Sequence, residues 1–254
     1  MINVDDESGR IILEGLEGKA FTYGIHKPAD IFARDIEITA EGVSFNLHIL
    51  GGKIGVNLHI PGLFSVYNAL AAASSCYAAG ASLKDIQNGL ESMRGVPGRF
   101  ELLDTGTEYS VILDYAHTPD GLENILKTAR DLTEGRIVTL FGCGGDRDAA
   151  KRPIMGEIAG RYSDFCIVTT DNPRNEEPMA IINDILPGLQ KTGCPYKVIE
   201  NRREAIEHAL KTGRKNDVII LAGKGHETYQ LIKGRTFHFD EKEIVAEILG
   251  REKV

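Results

Sequence analysis

Apolar runs of strand length alternate with helical patterns along the second half of the chain. The runs lie at 111–113, 137–141, 165–168, 196–199 and 218–221. The helical patterns that separate them lie at 121–132, 154–162, 179–186 and 203–211. Regular alternation of this kind is typical of parallel strands that are joined by covering helices. The sequence therefore predicts an α/β fold with a mostly parallel sheet and helices on both faces.

The first part of the chain, up to about residue 60, is interpreted as β structure. Two runs of alternating polar and apolar residues, 44–50 and 54–60, flank a Gly-Gly turn and predict a β-hairpin. An alanine-rich helix is predicted at 65–80 and a second helix at 83–93, with Ser82 as its N-cap.

A glycine- and proline-containing stretch, 95–99, interrupts these patterns and is predicted to be an interdomain linker. We therefore divide the chain into domains 1–96 and 97–254. The second domain should fold alone, because it supplies a sheet and its covering helices. The helices of the first domain are expected to lack partner strands.

Bulk properties exclude several classes of protein. The chain has 254 residues with ordinary hydrophobic and charged content, and its net charge of −8 argues against binding to nucleic acid or anionic membranes. Four cysteines without a CxxC pair are interpreted as reduced thiols. No run is long enough to span a membrane, and the acidic N-terminus MINVDDESGR is not a signal peptide. We expect a cytoplasmic protein.

Four polar or glycine-rich loops follow the predicted strands of the second domain. They read DYAHTPDG, GCGGDRD, TTDNPRNEEP and AGKGHE, and they begin at Asp114, Gly142, Thr169 and Ala222. Parallel sheets bind ligands beyond the carboxyl ends of their strands. The four loops are therefore expected to form one binding crevice.

The charges in these loops suit a ligand that carries both carboxylate and amine groups. Arg147 and Arg174 would hold carboxylates, because a guanidinium group binds a carboxylate with two parallel hydrogen bonds. Glu227 would receive an ammonium group, and His226 would orient it. A zwitterionic ligand is thus the hypothesis.

Simpler interpretations of the same loops stay open. Asp171 or Asn172 would act as the N-cap of the following helix. Asp146 and Arg147 would pair on the surface of a tight turn, and the stretch 223–227 would be a flexible surface turn.

Asp114 and His117 are candidates for contact with a nucleotide or phosphoryl group. A metal site there is disfavoured, since His117 has no nearby His or Cys partner. The chain contains no GxxxxGK[ST] phosphate loop, so a triphosphate cradle of that type would not lie within it. From the residues alone we assign no catalytic residue and no metal ligand.

Six motifs in order resemble the Mur ligases of peptidoglycan synthesis, and among them the MurE-type members. They are IPGLFSVYNALAA, VPGRFE, DYAHTPDGLE, FGCGGDRDAAKRP, DNPRNEEP and AGKGHETYQ. The form DNPR is similar to the members that add meso-diaminopimelate, whereas lysine-adding members usually differ at the arginine. The resemblance covers essentially the whole chain.

The resemblance implies the end of a central ATP-binding domain, at 1–96, and a complete Rossmann-like C-terminal domain, at 97–254. It implies an ATP- and Mg²⁺-dependent ligase that joins meso-diaminopimelate to UDP-N-acetylmuramoyl-L-alanyl-D-glutamate. The UDP-binding domain, the phosphate loop and the family's carbamylated lysine would lie upstream of Met1, so we expect this chain alone to be inactive.

The resemblance also implies roles for individual residues. The positions that match the amino-acid site of the family are Arg147, Asn172, Arg174, Gly223 and Glu227. The positions that match its nucleotide side are Asn68, Arg99, Asp114 and His117. Two alternatives remain: a non-catalytic amino-acid-binding module, and another Mur or folylpolyglutamate-type ligase.

Overall fold

The computed structural model describes residues 1–39 and 41–254. The chain forms two compact units, Met1–Gly95 and Val96–Val254. Within the described residues, none of the helices is both long enough and apolar enough to cross a membrane.

Over residues 1–39 and 41–95, the N-terminal unit contains a five-stranded sheet and three helices. Its strands are β1 (Ile2–Asn3), β2 (Thr22–Gly24), β3 (Ile31–Thr39), β4 (Gly42–Ile49) and β5 (Gly52–Leu58). Its helices are α1 (Glu7–Glu14), α2 (Leu63–Ala78) and α3 (Leu83–Ser92). The strands follow each other in chain order across the sheet, parallel from β1 to β3 and antiparallel from β3 to β5.

The hairpin and both helices predicted for this unit are present. β4 and β5 pair antiparallel around the Gly-Gly turn, and Ser82 caps α3 by accepting a hydrogen bond from the Asp85 amide. Two expectations were wrong. The first part is not purely β structure, because α1 lies within it. The helices do not lack partner strands, since α2 packs on β2, β3 and β4 and α3 packs on β5.

The C-terminal unit contains a six-stranded sheet, a separate hairpin and five helices. Its strands are β6 (Glu101–Leu103), β7 (Ser110–Asp114), β8 (Ile137–Phe141), β9 (Phe165–Val168), β10 (Tyr196–Val198), β11 (Val218–Ala222), β12 (Tyr229–Ile232) and β13 (Arg235–His238). Its helices are α4 (Pro119–Leu132), α5 (Lys151–Tyr162), α6 (Pro178–Gln190), α7 (Arg202–Thr212) and α8 (Glu241–Leu249).

The six-stranded sheet has the order β10-β9-β8-β11-β7-β6 and is parallel except at β6. Alternate strand residues such as Leu113 and Leu140 pack against α7 and α8. The intervening residues, Ile112 and Thr139 among them, are buried as well. Successive strand residues point to opposite faces of the sheet, and residues on both faces are buried. Both faces are therefore covered, which confirms the predicted α/β fold.

Three features of this unit lay outside the predicted pattern. β6 is too short to give a periodic signal, and β12 and β13 form a two-stranded hairpin whose outer residues are exposed. α8 begins at its N-cap Asp240, whose carboxylate accepts hydrogen bonds from the Lys242 and Glu243 amides.

The carboxylate of Asp5 joins three segments of the N-terminal unit. It accepts hydrogen bonds from the backbone amides of Ile25, His26 and Lys27, at 2.6, 3.0 and 2.8 Å, and from the Tyr67 hydroxyl at 2.9 Å. Burial acts in the opposite direction, but these hydrogen bonds lower the pKa of Asp5 from 3.8 to about 2. The ionised carboxylate of Asp5 therefore holds the backbone of residues 25–27 in place.

Asp5→Asn should lower the free energy of unfolding at neutral pH by about 1–3 kcal/mol, because an amide nitrogen cannot accept the backbone hydrogen bonds. The folded pKa lies below the ordinary value, so this contribution is complete above about pH 5 and is lost as the pH falls toward 2. Urea unfolding, followed by circular dichroism, should show that the free energies of unfolding of the unmodified and Asp5→Asn proteins converge over that pH range. Asp6→Asn is the matched control, since Asp6 only caps α1 and Asn caps a helix equally well. A difference that does not change with pH would contradict the assignment.

Backbone contacts fix the chain immediately after the boundary between the units. The carbonyl of Gly98 accepts a hydrogen bond from the Tyr115 amide, and its own amide donates to Glu101. The Arg99 amide donates to the carbonyl of Val96. By contrast, Arg94 is exposed and lies outside the helices and strands.

Limited trypsin digestion should therefore cut after Arg94 before it cuts after Arg99, since proteases need a segment that can leave its hydrogen bonds. The first large fragment, identified by N-terminal sequencing and mass, should begin at Gly95 and resist further digestion. A first fragment that begins at Phe100, or earlier loss of the C-terminal unit, would contradict this.

Candidate functional site

The four polar loops lie at one edge of the six-stranded sheet. β9, β8, β11 and β7 are adjacent and parallel, so their carboxyl ends point the same way. The last residues of neighbouring strands are directly paired, as Ala222 is with Asp114 and Phe141 with Val168. The loops that follow these strands therefore start within one or two strand spacings of each other.

The GCGG loop and the DNPR loop are joined through their backbones. The Gly145 amide donates to the Asn172 carbonyl at 2.9 Å, and the Arg174 guanidinium donates to the Gly145 carbonyl at 2.8 Å. A Cβ atom on Gly145 would lie 2.0 Å from the Pro173 carbonyl oxygen. Only glycine permits this approach, which explains its position in the motif.

Arg174 has a left-handed backbone, with φ of 52°, and its peptide groups bridge to the β12–β13 hairpin. The bridge consists of hydrogen bonds from the Arg174 amide to the Leu231 carbonyl and from the Lys233 amide to the Arg174 carbonyl. The side chain of Arg174 is half-buried. The hairpin thus fixes the backbone from which the guanidinium extends.

Asn172, Lys224 and Glu227 form a hydrogen-bonded cluster between the third and fourth loops. The Asn172 amide nitrogen donates to Glu227 Oε2 at 2.9 Å, and Lys224 Nζ lies 3.1 Å from the same oxygen. Lys224 Nζ also lies 3.3 Å from Asn172 Oδ1, which accepts the Leu231 amide at 3.0 Å. Two residues predicted for the amino-acid site, Asn172 and Glu227, are therefore in direct contact.

Gly223 connects this cluster to the first loop. Its amide donates to the Asp114 carbonyl at 2.9 Å, and its φ of 111° is one that other residues rarely adopt. A Cβ atom there would lie 2.6 Å from the carboxylate of Asp171. Gly223 thus lets the fourth loop pass close to the buried Asp171 side chain.

Arg147 is exposed and extends from the second loop. Its guanidinium donates to the carbonyl of Asp146. A Cβ atom on Gly144 would meet both the Arg174 guanidinium, at 2.8 Å, and the Arg147 Cγ, at 3.8 Å. The two predicted arginines therefore approach Gly144 from neighbouring loops.

Two of the simpler interpretations of these loops were wrong. α6 begins at Pro178 after Glu177, so neither Asp171 nor Asn172 caps it, and both are buried. The carboxylate of Asp146 accepts hydrogen bonds from Asn175 rather than from Arg147.

His226 does not orient Glu227 as expected. Its ring lies against Tyr115, with centroids 5.3 Å apart, whereas the side chains that contact Glu227 among the described residues are Asn172, Lys224 and Tyr229.

An ion-pair cluster around the buried Arg152, next to the second and third loops, was missed by the sequence reasoning. The Arg152 side chain is only 3% exposed and contacts Glu176, at 2.8 and 2.9 Å, and Asp184, at 2.8 Å. Arg152, followed by a hydrogen bond from the Asp146 amide, lowers the pKa of Glu176. Arg152 lies on the buried face of α5 together with Met155. A charged residue on such a face needs a partner of opposite charge, and this position was the signal in the sequence that could have indicated the ion pairs.

Asp114 supports the first loop from inside. Its carboxylate accepts the amides of Phe100, at 2.6 Å, and Ala116, at 2.7 Å. Burial raises the pKa of Asp114, while these two hydrogen bonds and the Arg99 charge oppose the rise. Both carboxylate oxygens are thus used to shape the backbone.

Tyr115 is the centre of the exposed side of this loop. The Arg99 guanidinium lies 4.8 Å above its ring, and the His117 ring is 4.6 Å away. Lys151 donates to the His117 carbonyl. Arg99 and His117 are both exposed, so a cation and an imidazole face the solvent beside Tyr115.

Asn68, which is predicted for the nucleotide side, belongs to the N-terminal unit, where it is exposed on α2. Over residues 1–39 and 41–254, the structure contains no group of three or more His, Cys, Asp or Glu side chains that could hold a metal ion.

Comparison with known protein families identifies the family to which the chain belongs. Residues 98–225, half of the chain, match the glutamate ligase domain of the Mur ligases, and residues 1–76 match the Mur ligase middle domain. The chain therefore belongs to the Mur ligase family, as its motifs predicted.

Particular relatives carry a more specific name. A UDP-N-acetylmuramoyl-L-alanyl-D-glutamate–2,6-diaminopimelate ligase from Clostridium tetani is 50% identical over 251 residues, which are 98% of this chain and 51% of that protein. Its counterpart from Caldanaerobacter subterraneus is 50% identical over 253 residues, 100% of this chain and 52% of that protein. The chain spans about half the length of these curated relatives.

Solved structures agree with the fold. The structure of a UDP-N-acetylmuramoyl-L-alanyl-D-glutamate–2,6-diaminopimelate ligase is similar with a TM-score of 0.62 and 34% identity, over 98% of this chain and 52% of that one. A pseudomurein peptide ligase type C from Methanothermus fervidus has a TM-score of 0.71 at 20% identity, over 88% of this chain and 53% of that one. At that identity the likeness concerns the fold alone.

Proposed function

We propose that this chain serves an ATP-dependent amide ligase that adds meso-diaminopimelate to UDP-N-acetylmuramoyl-L-alanyl-D-glutamate in peptidoglycan synthesis. The names of the relatives that are 50% identical support this activity. The observation that carries it is the contact between Asn172 and Glu227 beside Arg174, because it puts an acceptor for an ammonium group next to donors for a carboxylate. The activity belongs in the cytoplasm, where ATP is available.

The proposal assigns a separate task to each part of the chain. Domain 97–254 binds the amino acid, and domain 1–96 is the C-terminal part of the ATP-binding domain. Support comes from the match of residues 98–225 and 1–76 to different Mur ligase domains, and from the boundary of the compact units at Gly95.

Arg174, Asn172 and Arg147 form the carboxylate-binding half of the proposed site. Arg174 uses one nitrogen to hold Gly145, and its remaining donors are available for a carboxylate. Asn172 Nδ2 has a second hydrogen besides the one donated to Glu227. Arg147 is exposed and suits a more distant carboxylate, which fits a ligand with one at each end.

Glu227 and Gly223 form the amine-binding half. Glu227 Oε2 is occupied by Asn172 and Lys224, whereas Oε1 has a longer contact of 3.3 Å to the Tyr229 hydroxyl. An ammonium group of the ligand would bind Oε1. Gly223 is required beside Glu227, since a Cβ atom there would lie 2.6 Å from the Asp171 carboxylate.

Asn68, Arg99, Asp114 and His117 are proposed for the nucleotide side. Arg99 and His117 fit this role, because both are exposed donors beside Tyr115. Asp114 fits as a support of the loop, since its oxygens are held by two backbone amides. The described residues offer no group of three or more His, Cys, Asp or Glu side chains for Mg²⁺.

ATP, when bound, supplies the phosphoryl group that activates the acceptor carboxylate. In the proposed reaction the amine of diaminopimelate attacks the acyl carbon, the new amide bond forms, and the C–O bond to phosphate breaks while the amine loses a proton. The residues of this chain contribute orientation: they hold the carboxylates and the spare ammonium group so that the reacting amine faces the acyl carbon.

Arg174→Asn should weaken meso-diaminopimelate binding to this chain by about 2 kcal/mol, roughly 30-fold, through loss of charge-assisted hydrogen bonds. Asn is chosen because it tolerates the positive φ of this position better than Ala does. Arg174→Lys keeps the charge but loses the planar fork, so its loss should be smaller. Isothermal titration calorimetry measures the affinity of the unmodified, Arg174→Asn and Arg174→Lys chains for meso-diaminopimelate.

Arg130→Asn is the matched control, because Arg130 forms an ion pair with Asp164 away from the four loops. It should bind meso-diaminopimelate as the unmodified chain does. L-lysine, which lacks the second carboxylate, should bind more weakly than meso-diaminopimelate. Equal affinity of the Arg174→Asn and unmodified proteins would refute the proposed carboxylate contact.

A further inference from the structure

Lys224 is completely buried, although lysine is among the residues least often found inside proteins. Its side chain is 0% exposed, and its ammonium group lies within hydrogen-bonding distance of Asn172 Oδ1, at 3.3 Å, and Glu227 Oε2, at 3.1 Å. The rings of Tyr229 and Phe239 lie on further sides, 5.7 and 5.8 Å from Nζ. A buried cation needs such partners, and here both polar partners are residues of the proposed amino-acid site.

The chemistry of Lys224 sets the orientation of the Asn172 amide. An ammonium group and a backbone N–H can only donate hydrogen bonds, and both Lys224 and the Leu231 amide face the same atom of Asn172. That atom must be the oxygen. The amide nitrogen must then face Glu227, where it donates at 2.9 Å.

Lys224 also divides the two oxygens of Glu227 between different tasks. Oε2 accepts hydrogen bonds from Lys224 and Asn172, which leaves Oε1 directed toward the Tyr229 hydroxyl at 3.3 Å. The Glu227 side chain is 13% exposed, whereas that of Lys224 is inaccessible. A ligand can therefore reach Glu227 but not the lysine behind it.

A second carboxylate, that of Glu241, is close enough to Lys224 to interact with its charge. The carboxylate of Glu241 is buried and paired with Arg202 at 2.9 Å, and Asp171 is buried next to Gly223. Among the described residues, Lys224 is the ion-pair partner of Glu227. Loss of this cation and the freed space would allow both Glu227 and Asn172 to change position.

We propose that Lys224 is a positioning residue of the amino-acid site. It does not touch the ligand; it holds Asn172 with its nitrogen toward the ligand carboxylate and Glu227 with Oε1 toward the ligand ammonium group. This inference rests on the proposed function for the identity of the ligand. The ordering of Asn172 and Glu227 by Lys224 can be tested without any ligand.

The binding test is a double-mutant cycle on this chain with meso-diaminopimelate as the titrant. Lys224→Met should weaken binding about tenfold or more in the otherwise unmodified chain, as expected for loss of a charge-assisted contact. In a chain that already carries Glu227→Gln, the same change should weaken binding less, because only the contact of Lys224 with Asn172 is then left to lose. Lys224→Gln keeps a donor for Asn172 and should recover part of the affinity.

Arg136→Met is the control for loss of a buried ion pair. Arg136 pairs at 2.5 Å with Asp217, whose side chain is 3% exposed, at the amino end of β11. It should lower the melting temperature of the chain but leave the affinity unchanged. An equal loss of affinity from Lys224→Met in both backgrounds would overturn the proposal.

The ligand-free test is nuclear magnetic resonance of the Asn172 side-chain amide, identified by its disappearance in Asn172→Asp. We expect both proton signals of the unmodified chain to be displaced from the positions of a free asparagine amide, and to move toward those positions in Lys224→Met. Unchanged signals would overturn the positioning role. If the unmodified chain bound no meso-diaminopimelate, the proposed function would fail while this measurement still decided the role of Lys224.

Discussion

The parallel pairing of β7, β11, β8 and β9 is the constraint on which the site depends. Directly paired strand ends, such as Asp114 with Ala222, start the next loops side by side. Backbone hydrogen bonds then join neighbouring loops, from the Gly223 amide to Asp114 and from the Gly145 amide to Asn172. The loops that carry the proposed site residues are thus held to one another through their backbones. A strand displaced by one residue would turn these side chains to the opposite face.

Ion pairs with buried members fix the loops. Arg152 holds Glu176 next to the second and third loops, and Lys224 holds Glu227 in the fourth. Such pairs contribute little net stability, because each charge loses its hydration. Their removal is costly, however, since the partner is left buried without compensation. They therefore specify one arrangement of side chains, which is what recognition of a charged ligand requires.

Much of the fold could be predicted from the sequence because apolar periodicity is strong where both faces of a strand are buried, as in β8 and β11. Short or exposed elements such as β6 and β13 bury too little to leave that pattern. Within the site, the loops and their charged residues could be predicted, but their partners could not. Glu227 contacts Lys224 rather than the adjacent His226 because of the path of the loop in space, which the sequence does not reveal.

The central claim is that the edge of the C-terminal sheet binds a zwitterionic amino acid in one orientation. A crystal structure of this chain with meso-diaminopimelate tests it most directly. We predict a ligand carboxylate within about 3 Å of the Arg174 guanidinium and the Asn172 amide nitrogen, and an ammonium group at the same distance from Glu227 Oε1. A ligand bound elsewhere, or one whose ammonium group faces Arg174, would contradict the account.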